Sequence, residues 1–202
     1  MKIFVFDTET TGFINKKETD LTKQPKIIQF AWILWEIKNW IFTEEKRVDI
    51  LIDPEEPIPY ASSQVHHIYD IDVKWKPKMS EVMDEIMTYI NEPDMIIGHN
   101  IEYDESMVKL ELKRLEKEYL YRPKQTFCTM KTTVDYCAIQ WNGARFKYPK
   151  LWELHKKLFD EYFVGAHDAL TDVEATVRCF ESLVQKWVIT LEENKEEVLS
   201  LF

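Results

Sequence analysis

An α/β fold is predicted by three observations. Short apolar runs rich in β-branched and aromatic residues open the chain, amphipathic stretches at helical spacing fill much of the rest, and a buried run at residues 94–98 switches directly into one of those helices. With 202 residues, 45% of them hydrophobic and 13% aromatic, the chain can fill a single core. No repeat, low-complexity stretch or second boundary interrupts it, so one domain is expected over residues 1–187, followed by an acidic C-terminal segment, 188–202.

The elements follow in order. Lys2 to Asp7 reads as a strand, and IIQFAWILWEI and NWIFTEEKRVDILI read as two more, joined as a hairpin near Lys38 and Asn39. DPEEPIP is too rich in proline for a helix or central strand, and the loop it begins is expected to run through SSQVHHIYDIDV and WKPK. Ser80 is placed as a helix cap, with Val82, Met83, Ile86, Met87 and Ile90 forming the apolar stripe behind it. DMIIGHN is a short buried strand ending at Gly98, and Met107, Leu110, Leu112 and Leu115 mark an amphipathic helix from Ile101. Two further helices are predicted, over Trp152 to Phe159 and from Asp168 to about Trp187.

A net charge of -10 and a pI near 5.1 argue against a broad basic face for nucleic acid, so a polyanion has to be met locally, through metal ions or a partner. Cys128, Cys137 and Cys179 form no CxxC pair and no even framework, which points to a reducing setting. MKIFVFD reaches a carboxylate before a signal core can form, and the longest apolar run, Ile27 to Trp35, is about half a membrane span. A soluble, cytoplasmic protein without a membrane partner is expected.

Residues two apart in a strand project to one side, so Asp7 and Glu9 point together. Alone, the pair is open to two readings, a hard-metal site or a solvated turn. Further groups stand at the other strand-to-helix and loop-to-helix junctions. GHNIEYD places Asp104 in a first helical turn, after His99 and Asn100, and GAHDALTDVEAT places His167 just ahead of a helix bearing Asp168 and Asp172. Three of the four glycines, Gly12, Gly98 and Gly165, adjoin these segments. Oxygen ligands with an adjacent histidine and no cysteine favour Mg²⁺ or Mn²⁺ over zinc. Two such ions about 3.5–4 Å apart can polarise a phosphodiester and orient water. An imidazole, ordinarily titrating at about 6.5, suits His167 to take the proton from that water.

FDTETTG, GHNIEYD and HDALTD, in that order, resemble the motifs of the DEDDh 3′–5′ exonucleases, a group that includes the proofreading epsilon subunit of bacterial DNA polymerase III. The resemblance covers roughly residues 1–187. It implies a ribonuclease H-like fold with a mixed sheet of about five strands, the first three antiparallel, flanked by helices. It implies that Asp7, Glu9, Asp104 and Asp172 bind metal, that His167 is the base, and that Thr10, Thr11, Gly12 and Phe13 embrace the terminal nucleotide. SQVHHI is similar to a family substrate stretch that usually reads VHGI, which makes His66 and Ile68 expected contacts, with His67 in the place of a glycine. His99 and Asn100 match a pair associated with the nucleotide pocket or the helix start.

The activity so implied is metal-dependent release of nucleoside monophosphates from single-stranded or frayed DNA 3′ ends, in proofreading or repair. The alternatives are an exoribonuclease, a non-catalytic binding module, which the five intact residues disfavour, and a general metal-dependent phosphatase, which leaves the ordered motifs unexplained. Asp168 is read as a helix cap, His155 as a partly exposed helix residue, and Trp32, Trp35, Cys128 and Cys179 as core. Trp75, among Lys74, Lys76 and Lys78, is either a base-stacking residue or loop packing. The last residues, Val198, Leu199, Ser200, Leu201 and Phe202, either dock back on the domain or act as a sliding-clamp peptide resembling QLSLF, with valine in place of glutamine.

Overall fold

The computed structural model describes residues 1–143 and 145–191. Its centre is a five-stranded mixed sheet in the order β3-β2-β1-β4-β5. The first three strands, β1 (Lys2–Thr10), β2 (Ile27–Lys38) and β3 (Ile41–Leu51), form an antiparallel meander. The two others, β4 (Met95–Gly98) and β5 (Thr126–Cys128), run parallel to β1. The hairpin turn lies at Asn39 and Trp40, with φ of 51° and 63°, the twisted geometry that matches a tight antiparallel turn.

Alternation along β1 divides the core in two. Ile3 and Val5 point to one face, where they pack with Ala31, Ile33 and Ile97 against α7 (Leu151–Phe159) and α8 (Ala169–Gln185). Phe4 and Phe6 point to the other face and pack with Phe30, Trp32 and Ile96 against α3 (Met79–Asn91) and α4 (Ile101–Arg114). Each of these fully buried side chains contributes about 1.5–3 kcal/mol, so the register of β1 is strongly held. A slip by one residue would send Asp7 and Glu9 to the wrong face. On the α8 face, Ile189 and Leu191 also pack into the core.

Three expectations need correction. The stretch read as one long loop contains two short helices, α1 (Tyr60–His66) and α2 (Asp70–Val73). Proline stands only at the N-cap of α1, Pro59, where its missing N–H costs nothing, and Ile58, Ile68 and Val73 gain burial against Ile28. Helix α3 begins at Met79 rather than after Ser80, because the Glu81 carboxylate accepts the Lys78 N–H at 2.7 Å and completes the cap two residues earlier. His155 is buried rather than partly exposed: its Nδ1–H donates to the Glu161 carbonyl at 3.0 Å, and Arg178 Nη1 lies 3.1 Å from its Nε2.

Two other short helices, α5 (Thr129–Thr132) and α6 (Val134–Cys137), follow β5. Trp32 and Cys179 are core as expected, and Trp35 and Cys128 pack at its edge. Trp75 is 88% exposed, so it is not loop packing; Lys74 Nζ lies 5.4 Å from its ring centroid. The C-terminal pentapeptide, residues 198–202, lies outside the described residues. Among the described residues no helix is long and apolar enough to cross a membrane.

Candidate active site

The odd residues of β1 face α8, and beyond Val5 the strand outruns its parallel partner β4. Asp7 and Glu9 therefore emerge where the sheet's C-terminal edge meets the first turn of α8, which carries Asp172. The Thr8 N–H points to the side that β4 no longer reaches. Asp104, in the first turn of α4, fills that vacancy: its Oδ1 accepts from Thr8 N at 3.1 Å and from Thr8 Oγ1 at 2.7 Å. Gly98 lets α4 turn sharply off β4, since a Cβ there would sit 3.0 Å from Ile101 Cβ.

The cluster is strongly frustrated by its own charge. Burial, then repulsion from Asp104, Asp172 and Glu9, raises the Asp7 carboxyl well above the usual carboxylate range. Burial and the same neighbours push Glu9 up to about 8. Asp104 rises to about 7, mainly by burial, although both Thr8 hydrogen bonds oppose the shift. Asp172 rises to about 6 by burial, opposed by the His167 N–H, which donates to its Oδ2 at 3.2 Å. The other oxygen, Asp172 Oδ1, is buried without a hydrogen-bond partner.

His167 is exposed and has a left-handed backbone, φ 70°, right after Gly165 at φ 89° in the loop entering α8. One ligand atom each from Glu9, His167 and Asp172 lie within 4.8 Å of one another. Hard oxygen donors with raised proton affinity and an orphaned carboxylate oxygen fit divalent cations, which would replace the protons and relieve the repulsion.

Asp168 is the α8 cap, its Oδ1 accepting from Thr171 N at 2.9 Å. Gln29 was not foreseen. Paired with Glu9 in the β1–β2 register, its amide donates to Asp168 Oδ2 and to Asp49 Oδ1, each at 3.0 Å, and its carbonyl accepts the Ala169 N–H at 3.0 Å. A lone amide inside IIQFAWI was the available signal, as buried polar groups need partners. Thr8 and Tyr103 were also missed.

The expected substrate residues divide into two groups. Beside the acids, Tyr103 Oη lies 2.7 Å from the Gly12 carbonyl, and Thr10 Oγ1 bonds Gly12 O at 2.8 Å and Tyr103 Oη at 2.9 Å. Thr11 pairs its backbone N–H with Lys26 O at 2.9 Å, and its carbonyl accepts from Ser62 Oγ at 2.8 Å, while Phe13 stands 91% exposed beyond it. Across a groove of about 430 Å³, His66, His67 and Ile68 face Gly165, His167 and Asp168. His67 takes φ 60°, so it adopts the conformation for which the family glycine is suited. His66 Nδ1 accepts the Ile68 N–H at 3.0 Å, and its Nε2 is buried without a partner. Burial lowers the His66 pKa. Ile68 is largely a core residue.

The other group stands at the start of α4. His99 is wedged between Thr129 Oγ1 at 3.0 Å and the Pro149 carbonyl at 2.9 Å, and burial lowers its pKa to about 4. Asn100, exposed with φ 76°, turns the chain into α4 without a side-chain cap bond.

A family model described as exonuclease matches residues 4–180. The chain is 30% identical over 115 residues to the DNA polymerase III subunit epsilon of Treponema pallidum, covering 57% of this chain and 48% of that protein. It is 26% identical over 192 residues to the corresponding subunit of Buchnera aphidicola subsp. Baizongia pistaciae, covering 94% and 74%. The chain thus spans about half the length of the Treponema relative. Among solved structures, exonuclease X in complex with 5′ overhanging duplex DNA superposes with a TM-score of 0.60 at 20% identity, covering 93% of this chain and 94% of that one. That fold, with its five-stranded mixed sheet and flanking helices, is the ribonuclease H-like one. The matched region contains the three ordered motifs and every acid of the cluster, and the chain belongs to the exonuclease family.

Proposed function

We propose that the protein is a metal-dependent 3′–5′ exonuclease that hydrolyses the terminal phosphodiester of single-stranded or frayed DNA and releases nucleoside monophosphates. The observation that carries this reading is the cluster of Asp7, Glu9, Asp104 and Asp172, all with raised proton affinity, with the exposed His167 at its rim. Four converging carboxylates are costly unless cations compensate them.

Two divalent ions, Mg²⁺ or Mn²⁺, would be held by these four acids and would supply Lewis-acid polarisation of the phosphoryl oxygens and activation of water. The protein's own part is positioning and proton transfer. Thr8 fixes one oxygen of Asp104, so that carboxylate is aimed before any ligand arrives. His167, exposed at the edge of the groove, takes the proton from the attacking water. Thr10 to Phe13 grip the terminal nucleotide, with Phe13 free to stack, while His66 offers its unpartnered N–H from the facing wall. His99 and Asn100 act through the start of α4.

The polymerase III subunits among the relatives, and exonuclease X with its DNA, support DNA as the polymer and a proofreading or repair role. A polymerase or sliding clamp, reached through residues 198–202, is the partner consistent with that role. The test is mononucleotide release from 3′-labelled DNA and matched RNA, with Mg²⁺, Mn²⁺ or EDTA. Metal-dependent release, lowered about 10²–10⁴-fold by His167→Ala, is expected. Release that survives EDTA or the substitution would overturn the mechanism, and preference for RNA would reassign the substrate.

A further inference from the structure

The acidic chain carries a basic, aromatic surface beyond the cluster of acids. Between the α6 end and α7, residues 139–157 carry Arg145, Lys147, Lys150, Lys156 and Lys157 against a single carboxylate, Glu153, in a protein of net charge -10. Trp141, Phe146, Tyr148 and Trp152 interleave with these cations and are exposed, Trp141 by 62% and Tyr148 by 58%. Such large rings are normally buried, and several together at a surface mark a contact.

Its described residues pair with one another across the turn. Trp141 N donates to Arg145 O at 2.9 Å, Lys147 N to Ile139 O at 3.0 Å, and Gln140 bridges Phe146, with Gly143 at φ 74° in the turn. A tight hairpin therefore starts the Trp141 and Arg145 side chains from adjacent positions. Further along, Trp152 lies 5.7 Å from the Tyr162 ring, over which Lys156 Nζ sits at 4.1 Å.

The surface is tied to the site at its middle and, through Tyr162, along the chain. The Pro149 carbonyl meets His99 Nε2 at 2.9 Å, at the turn that starts α4, and Lys131 on neighbouring α5 pairs with Glu102 in the α4 turn that bears Asp104. After Tyr162 the chain runs through exposed Val164 to His167.

We infer that residues 139–143 and 145–157, with Tyr162, form a ledge that binds single-stranded nucleic acid on the 5′ side of the nucleotides being cleaved. Cations alternating with exposed rings are what a strand needs from such a surface, phosphate neutralisation and sequence-tolerant stacking. Neither suits a partner with an ordinary mixed surface as well as a polyanion with π faces. The ledge also supplies what the overall charge denies, a local hold on the polymer. This inference rests on the exonuclease reading for its direction along the strand.

The test compares the wild type with the triple variant Trp141→Ala, Arg145→Ala, Tyr148→Ala, none of them in the catalytic cluster. In the first assay kcat/KM is measured on 3-nucleotide and 15-nucleotide DNA strands. The second follows anisotropy of the same strands with a non-hydrolysable 3′ linkage. The expected result is that the variant loses about 10-fold or more of the preference for the long strand in both assays, since stacking of even one base is of that size. Its salt slope should also fall by about 0.7. Trinucleotide turnover should be unchanged. An unaltered long-strand preference, or equal loss on both lengths, would overturn the ledge. A wild type that binds but cleaves neither strand would sink the exonuclease reading, while its length-dependent anisotropy would still decide the ledge.

Discussion

Two helices bring a carboxylate to the same place, and they do it differently. Helix α4 leaves β4 with only two residues between them, and its Asp104 is buried and held by both donors of Thr8. Helix α8 is reached through a long loop, and its Asp172 is partly exposed, with one oxygen on the His167 N–H and the other without a partner. The α4 side is set before a ligand arrives, and the α8 side is completed by one. The loop is nevertheless anchored, through His155 to the Glu161 carbonyl and through Arg178 to the Glu161 side chain at 2.6 Å. Under the proposed function, a rigidly held Asp104 and an adaptable loop carrying His167 suit a site that admits and releases a strand with each turnover.

The largest effect should come from removing charge on the rigid side. Asp104→Asn keeps an acceptor for both Thr8 donors, so activity is expected to fall by about 10²–10³-fold while the melting temperature in EDTA rises. Asp172→Asn should raise that temperature less, because Asp172 is the more exposed of the two and its pKa is less displaced. A fall in metal-free stability for Asp104→Asn would show that repulsion does not govern the cluster. Thermal melts and initial rates on the same preparations decide it.

Thr8→Val leaves the backbone N–H but removes the hydroxyl that aims Asp104. Metal affinity, read by Mn²⁺ titration, should weaken about 10–100-fold, with excess metal restoring the rate. No change in affinity would mean that Asp104 needs no orientation. On the adaptable side, His155→Ala strips the loop of its anchor and leaves Arg178 and the Glu161 carbonyl short of a partner. A stability loss of about 1–3 kcal/mol is expected, with a smaller loss in rate than Thr8→Val, measured by urea unfolding and steady-state kinetics. A larger rate effect than at Thr8 would reverse the assignment of rigid and adaptable sides.

The last test is the cluster's pH dependence without metal. The folded pKa values of Glu9, about 8, Asp104, about 7, and Asp172, about 6, all lie above ordinary carboxylate values. The native state therefore binds more protons than the unfolded chain from about pH 4.5 to 8, so stability contributed by this cluster falls as pH rises through that window. In EDTA the melting temperature should drop between pH 5 and 8, by about 2–4 °C for each kcal/mol lost. Added Mn²⁺ should recover more at pH 8 than at pH 6. A metal-induced shift that is largest at low pH would contradict the scheme.

Much of this was legible in one dimension. Short apolar runs marked β1, the β2–β3 hairpin and β4, and a 3.6-residue spacing of apolar side chains marked the long helices, because both leave a pattern in neighbouring residues. The motif residues Asp7, Glu9, Asp104, His167 and Asp172 could be named because FDTETTG, GHNIEYD and HDALTD resemble the family's motifs in their order. The short helices α1 and α2 were not legible, since four to seven residues carry too little periodicity and their stability comes from Ile58, Ile68 and Val73 packing on Ile28. Gln29, Thr8 and the buried His155 were missed for a related reason. Their partners lie 139, 96 and 23 residues away, at Asp168, Asp104 and Arg178, so no local spacing announces them.

The sequence by itself pointed to the family, to the strand and helix types, and to the carboxylates and imidazole of the candidate site, because these follow from residue identity, motif order and short-range period. Only the tertiary structure decided which acid is held rigidly and which is left to adapt, and how far burial and mutual repulsion raise their proton affinity. It also brought the aromatic and cationic side chains around Pro149 next to His99. Distances between elements, and the solvent they exclude, exist only once the sheet has brought distant segments together.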